Sequence, residues 1–240
     1  MSLVSDDDIV AWISQFDEED LILAMDAPVV VPNAVGSRRC EKMMTGVFGS
    51  FHAGAYPSNT SMVAFANGPR AARLANRLSA TVDLDAAPRT GGRRVIEVYP
   101  HAAMVVLFQL NRVLPYKSRK GRDLASRRQA FNRFTVLMES LATTDPPLSV
   151  ASSPRWAELL DVVAVATTQA ALDRAEDELD AYMCAYVGLL HWMVGVGERC
   201  AVMGDAADGF IVTPMSAPHI TRLDSWQVTH AMMPTCPTSH

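Results

Sequence analysis

Two short apolar runs, each carrying one carboxylate, constrain this chain more than anything else in it. Leu21–Met25 is continuously apolar and runs straight into Asp26. Arg94–Tyr99 is apolar from Val95 onward except for Glu97. Both are too short for helices and are closed by breakers: Pro28 and Pro32 follow the first, Gly91 and Gly92 precede the second, and Pro100 ends it. Such runs read as buried strands. Helical patterns lie before, between and after them, so the fold class is α/β, helix-rich with a short central sheet.

The helical segments are read from their spacing. Ser5 followed by Asp6, Asp7 and Asp8 is a helix start, and Ile9, Trp12, Ile13 and Phe16 fall on one face, predicted to be buried. Pro69–Ser79 and His101–Leu110 are expected to be helical. Leu124, Phe131, Phe134, Leu137, Met138 and Leu141 form a further stripe. Pro154 opens another helix, and Asp173 to about Val194 is expected to be the last long one. Residues 33–60, rich in Gly, Ser and Asn, are expected to be mostly loop, and 143–153 a surface connection. Gly209–Pro214 reads as a short final strand. With no repeat and no convincing boundary, residues 1–240 are expected to form one domain with a mobile tail at 233–240.

Composition narrows the function classes. The net charge of −5 means that affinity for nucleic acid must come from a local basic patch. Cys40, Cys184, Cys200 and Cys236 lack C-x-x-C or zinc-finger spacing and read as reduced thiols, which points to a cytoplasmic protein. The N-terminus has no secretory pattern. The longest apolar stretch, Ala181–Gly197, falls short of the ~20 residues that cross a membrane and reads as a core helix, with His191 as a satisfied core histidine.

Two sets of residues carry chemistry. Asp26, Glu97 and Asp180 each interrupt or abut apolar sequence, where a carboxylate is costly unless paired or bound to a cation. Strand ends of open α/β sheets gather at the ligand-binding edge, and Asp173, Glu176, Asp177 and Asp180 share one helix face by their spacing. Local alternatives stand beside this: Asp26 before Ala27-Pro28 as a turn former, Asp173 and Glu176 as acids favouring a helix dipole, and Arg93 or Arg94 as a partner for Glu97. The second set is basic. Eight of the 21 Lys and Arg residues lie between Arg112 and Arg133, against one acid, Asp123. Phosphate binding by Lys117, Arg119, Lys120 and Arg122 accounts for that skew, with a plain basic surface as the alternative.

The segments AMDAPVVVPN (24–33), GSRRCE (36–41), GAYPSN (54–59), VIEVYPHAA (95–103), YKSRKGR (116–122), EDELDAYMCAY (176–186) and GDAADGFIVTP (204–214) occur in this order. Together they resemble the predicted RNase H-like nuclease family, domain of unknown function 429, over about residues 5–214. The resemblance implies an RNase H-like fold with acids on two strands and near the start of a late helix. It matches Asp26, Glu97, Asp177 and Asp180 to the family's acids, and Lys117 and Arg122 to its basic segment. The implied activity is a metal-dependent nuclease or phosphodiesterase, with Asp26, Glu97 and Asp180 holding Mg²⁺ or Mn²⁺ that activates water. The other reading is a non-catalytic scaffold or nucleic-acid-binding protein of the same fold. Relatives open with a Gly-rich strand bearing an aspartate, whereas this sequence starts at the following helix. Leu21–Met25 is therefore expected to be an edge strand, covered by a homodimer partner or by Gly209–Pro214 folding back onto it.

Overall fold

The computed structural model describes residues 5–16 and 19–231. Both predicted strands form. β1 (Leu21–Met25) pairs in parallel with β2 (Arg93–Glu97), in a register that sets Met25 against Glu97. The Leu21 amide donates to Gly92 O and the Val98 amide to Met25 O, so alternate residues of β1 face β2. The Ile22 and Ala24 peptide groups face the opposite edge, where no strand lies among the described residues. Gly209–Pro214 does not fill that edge. It forms β4, all of it buried, which pairs antiparallel with β3 (Cys200–Asp205) and meets the end of β2, where Val98 just beyond the strand bridges Val212. The β3 strand is an addition to the sequence reading.

Two further elements depart from it. Residues 33–60 are not all loop: Arg39–Phe48 is a helix, α2, because Cys40, Met43, Met44 and Val47 recur at one-face spacing and are buried. A last helix, α8 (Ala217–Ala231), follows β4. It lies close on α2 where a Cβ at Gly46 would meet the Trp226 ring at 2.1 Å. The first helix, α1 (Asp6–Ile13), does form, with Ser5 accepting from the Asp8 amide. Its predicted buried face does not. Trp12 and Phe16 are 48% and 57% exposed and touch each other edge to face. Ion pairs from Asp6 to Arg70 and from Asp7 to Arg77 tie α1 to α3 (Arg70–Arg77).

The other helices are α4 (Pro100–Leu107), α5 (Leu124–Ser140), α6 (Pro154–Val165) and α7 (Gln169–Val194). In α4 every residue but Leu107 is buried, as expected of a helix apolar all round. It divides two hydrophobic clusters. Ala103 and Met104 join the sheet and α5–α7, while Ala102 and Val105 join α2, the β3–β4 hairpin and α8. Helix α7 lies against β1, where a Cβ at Gly188 would stand 3.2 Å from the Ala24 methyl. No helix among the described residues is long and apolar enough to cross a membrane. The expected mobile tail at 233–240, with Cys236, lies outside the described residues, and Cys40, Cys184 and Cys200 are free and buried.

Candidate functional site

The carboxyl ends of β1 and β2 bring the predicted acids into one neighbourhood but not into one cluster. Asp26 follows β1. With Ala24, Asp177, Asp180, Ala181 and Cys184 it lines an open cleft of about 270 Å³ between the strand end and α7. Residues 177, 180, 181 and 184 share a helix face by their three- and four-residue spacing. Asp180 is buried and held on both oxygens: Tyr116 Oη donates to Oδ1 at 2.5 Å, and Lys117 Nζ lies 2.7 Å from Oδ2. Burial raises the Asp180 carboxyl, and Lys117 and Tyr116 counter it. Both contacts are donors, the pattern of an ionised carboxylate, and the charge of Asp180 in turn raises Lys117 against the effect of burial.

Among the described residues Asp26 has no such hydrogen-bond partner. Burial, then the Asp180 charge, raise its carboxyl from 3.8 to about 7. Its side chain opens to solvent at the cleft mouth, which softens the burial effect and leaves the neighbouring carboxylate as the firmer cause. Among the described residues, three aspartates therefore line one cleft and a single ammonium, that of Lys117, pairs with one of them.

Glu97 lies elsewhere. Arg38 Nη2 donates to its Oε1 at 2.6 Å and Arg38 Nη1 to its Oε2 at 2.8 Å, while the Val29 amide donates to Oε2 at 3.0 Å. The same guanidinium reaches Glu41 Oε1 at 2.8 Å, and Glu41 Oε2 accepts from the Arg38 and Ser58 amides. Burial pushes the Glu97 carboxyl up and Arg38 pulls it down. With every contact a donor, the group is ionised and Arg38 is held charged. The partner expected from Arg93 or Arg94 is thus Arg38, 59 residues away in sequence. Glu97 still acts on Asp26 by its charge.

The remaining helix acids divide. Asp173 and Glu176 pair with Arg127 at 2.8 and 3.2 Å. They are not dipole-favouring acids, since α7 starts at Gln169 with no acid in its first turn. Arg127 is fully buried and also donates to Tyr116 O and Gln169 Oε1, so it belongs to the core and not to the basic surface. Arg128 donates to Ala166 O. His191 is buried as expected, but its Nε2 finds no partner.

Of the predicted phosphate-binding residues, Lys117, Arg119 and Arg122 line a second cavity, of about 290 Å³, with Arg112, His52 and His101. Lys120 is exposed and outside it. Lys117 is common to both spaces: it lines the cationic cavity and binds Asp180 in the acidic cleft. Sequence reasoning counted Arg112 in the basic run without singling it out for phosphate, and it missed Tyr116 and His52, which no local signal marks.

Hard carboxylate oxygens on Asp26, Asp177 and Asp180, carrying more negative charge than Lys117 balances, suit a divalent cation of the Mg²⁺ or Mn²⁺ type. Glu97 does not fit that set: it is paired with Arg38 outside the cleft and its Oε2 already accepts two donors, whereas each Asp180 oxygen accepts one and keeps a lone pair. Among the described residues no three His, Cys, Asp or Glu side chains are already gathered at metal-holding distance.

These features define a helix-rich α/β protein with a short sheet, an acidic cleft at the carboxyl end of that sheet, and a cationic cavity joined to it. The chain belongs to the family described as protein of unknown function (DUF429), whose model matches residues 2–207. No curated protein and no solved structure matches it.

Proposed function

We propose that the chain is a phosphodiesterase or nuclease of RNase H-like fold, with the acidic cleft as its reaction site. The observation that carries this reading is Lys117, whose ammonium joins three aspartates to a cavity lined by arginines. Asp26, Asp177 and Asp180 would hold Mg²⁺ or Mn²⁺. Such a cation supplies charge that activates water and stabilises the leaving oxygen. The chain's own residues do the rest. Tyr116 and Lys117 fix the orientation of Asp180. Asp26, at the mouth of the cleft, would accept a proton from water. Lys117 and Arg122 neutralise the phosphate.

The pairing of Glu97 with Arg38 favours a second reading, a nucleic-acid-binding protein of the same fold without turnover, since it removes one expected ligand. Calorimetric titration of Mn²⁺ together with cleavage of a labelled oligonucleotide separates the two. The nuclease reading expects saturable Mn²⁺ binding and Mn²⁺-dependent cleavage, both lost in Asp26→Asn. Oligonucleotide binding with neither property establishes the second reading instead.

A further inference from the structure

The cationic cavity has features that a groove for a polyanion does not need. Among the described residues, Arg112, Arg119 and Arg122 have no carboxylate partner. Arg112 Nη2 lies 3.3 Å from His52 Nδ1, Arg119 Nη2 donates to Tyr56 Oη at 2.5 Å, and Arg122 Nη1 donates to Lys117 O at 2.7 Å. Side chains of three arginines thus line about 290 Å³ with no carboxylate in ion-pair contact among the described residues; burial and then the charges of Arg119 and Arg112 push Arg122 down, against a smaller opposing pull from Glu176. That volume suits a small ligand group rather than a duplex, whose groove face runs over many phosphates.

His101 adds selectivity. The Tyr99 hydroxyl gives its hydrogen to Gly54 O at 3.0 Å, so the contact of 3.1 Å between Tyr99 Oη and His101 Nδ1 requires Nδ1 to carry the hydrogen. His101 Nε2 is then an acceptor. It has no partner among the described residues, and the ring lines the cavity. An acceptor among arginines fits an anion that carries its own O–H. A phosphate monoester in its monoanionic form has one; an internal phosphodiester and sulfate have none.

We infer that this cavity seats a single phosphate monoester group, gripped by Arg112, Arg119 and Arg122, with its hydroxyl donating to His101 Nε2. The substrate of the adjoining cleft therefore ends in a phosphate. The second statement rests on the cleft being the reaction site; the first does not. Lys117, shared by both spaces, places the terminal phosphate beside the bond to be cut.

The test uses the full chain with inorganic phosphate and, separately, sulfate as calorimetric probes near pH 6, where monoanionic phosphate is abundant. One saturable phosphate site is expected, with sulfate weaker. Arg112→Gln and Arg119→Gln, both at exposed positions, are each expected to weaken phosphate about tenfold, the loss of one charge-assisted hydrogen bond. His101→Phe is expected to bring phosphate and sulfate to equal affinity. No saturable binding, or binding that survives Arg112→Gln/Arg119→Gln in a chain with unchanged circular dichroism, overturns the assignment. Asp26→Asn keeps failures apart, since phosphate binding is expected to persist there while Mn²⁺ binding is lost. If oligonucleotides with and without a terminal phosphate are cut equally, the terminal-phosphate inference falls while the nuclease reading stands.

Discussion

At the carboxyl ends of β1 and β2 two groups of acids stand side by side and are treated in opposite ways. In one, Glu41 and Glu97 close on a single buried guanidinium, and each of their four oxygens accepts an N–H. In the other, Asp26, Asp177 and Asp180 share a cleft with one ammonium, and the Asp26 carboxyl is driven towards neutrality. Both groups sit in unusual sequence, and sequence cannot tell them apart. The difference between them is completeness. A satisfied set of charges holds elements together, here α2 to the sheet. An unsatisfied set keeps charge in reserve for something that is not part of the chain.

The largest expected effect tests the satisfied set. Arg38→Met leaves Glu41 and Glu97 buried without a cation and is expected to cost about 3–5 kcal/mol, read by urea unfolding. A cost under about 1 kcal/mol would erase the distinction between the two groups. A smaller effect tests the unsatisfied set. An unfolded Asp26 titrates near 3.8 and the folded one near 7. The folded chain therefore keeps a proton that the unfolded chain gives up. This contribution to stability is fully present below about 4 and is lost as the pH rises through about 7. With chelator present, Asp26→Asn is expected to raise stability above pH 7 by about 1 kcal/mol, the open cleft mouth screening the rest. Below about pH 4 the variant should match the parent. Thermal melts across pH check this, and equal melting shifts at both pH values would contradict it. The smallest effect comes from a set complete in contacts but wet: Arg155 bridges Glu158 and Glu178, both at 2.6 Å, on an exposed surface. Arg155→Ala is expected to cost about 0.2–1 kcal/mol by the same unfolding assay. A loss rivalling that of Arg38→Met would mean that burial is not what separates these networks.

Much of the fold was legible because its signals are local. Leu21–Met25 and the run read as Arg94–Tyr99, which forms a strand over Arg93–Glu97, announce themselves as apolar runs closed by Pro, and α5, α6 and α7 as stripes, though α7 starts at Gln169 and not at Asp173. Helix α2 was hidden by its surroundings: Gly36, Ser37, Gly49 and Ser50 read as loop, and three charges in its first turn dilute the stripe of Cys40, Met43, Met44 and Val47. Helix α8 was hidden by thinness, since the apolar residues it packs inward are Ile220, Leu223 and Trp226, joined by His219, among Ser and Thr. At the site, the spacing of Asp177 and Asp180 fixed their common face, and the run of bases marked Lys117, Arg119 and Arg122. The Arg38–Glu97 pair, the Tyr116–Asp180 bond and the withdrawal of Arg127 into the core join residues 46 to 64 positions apart. Only the packed chain decides such contacts.

Gly188 sets a dimension of the cleft without touching it. It lies about two helical turns beyond Asp180 on α7, and its missing Cβ lets the helix pack so close to β1 that a methyl there would stand 3.2 Å from that of Ala24. Ala24 is two residues before Asp26, so the gap between Asp26 and Asp180 is gauged by a contact made farther along the same two elements. Helix and strand behave as the arms of a pair of tongs, with Gly188 near the rivet and the two carboxylates at the tips. Like charge on the two tips resists their approach, and a cation or a proton between them relieves it. A single methyl at residue 188 is a shim at the rivet, and it would widen the jaws by more than the few tenths of an ångström it adds at the hinge.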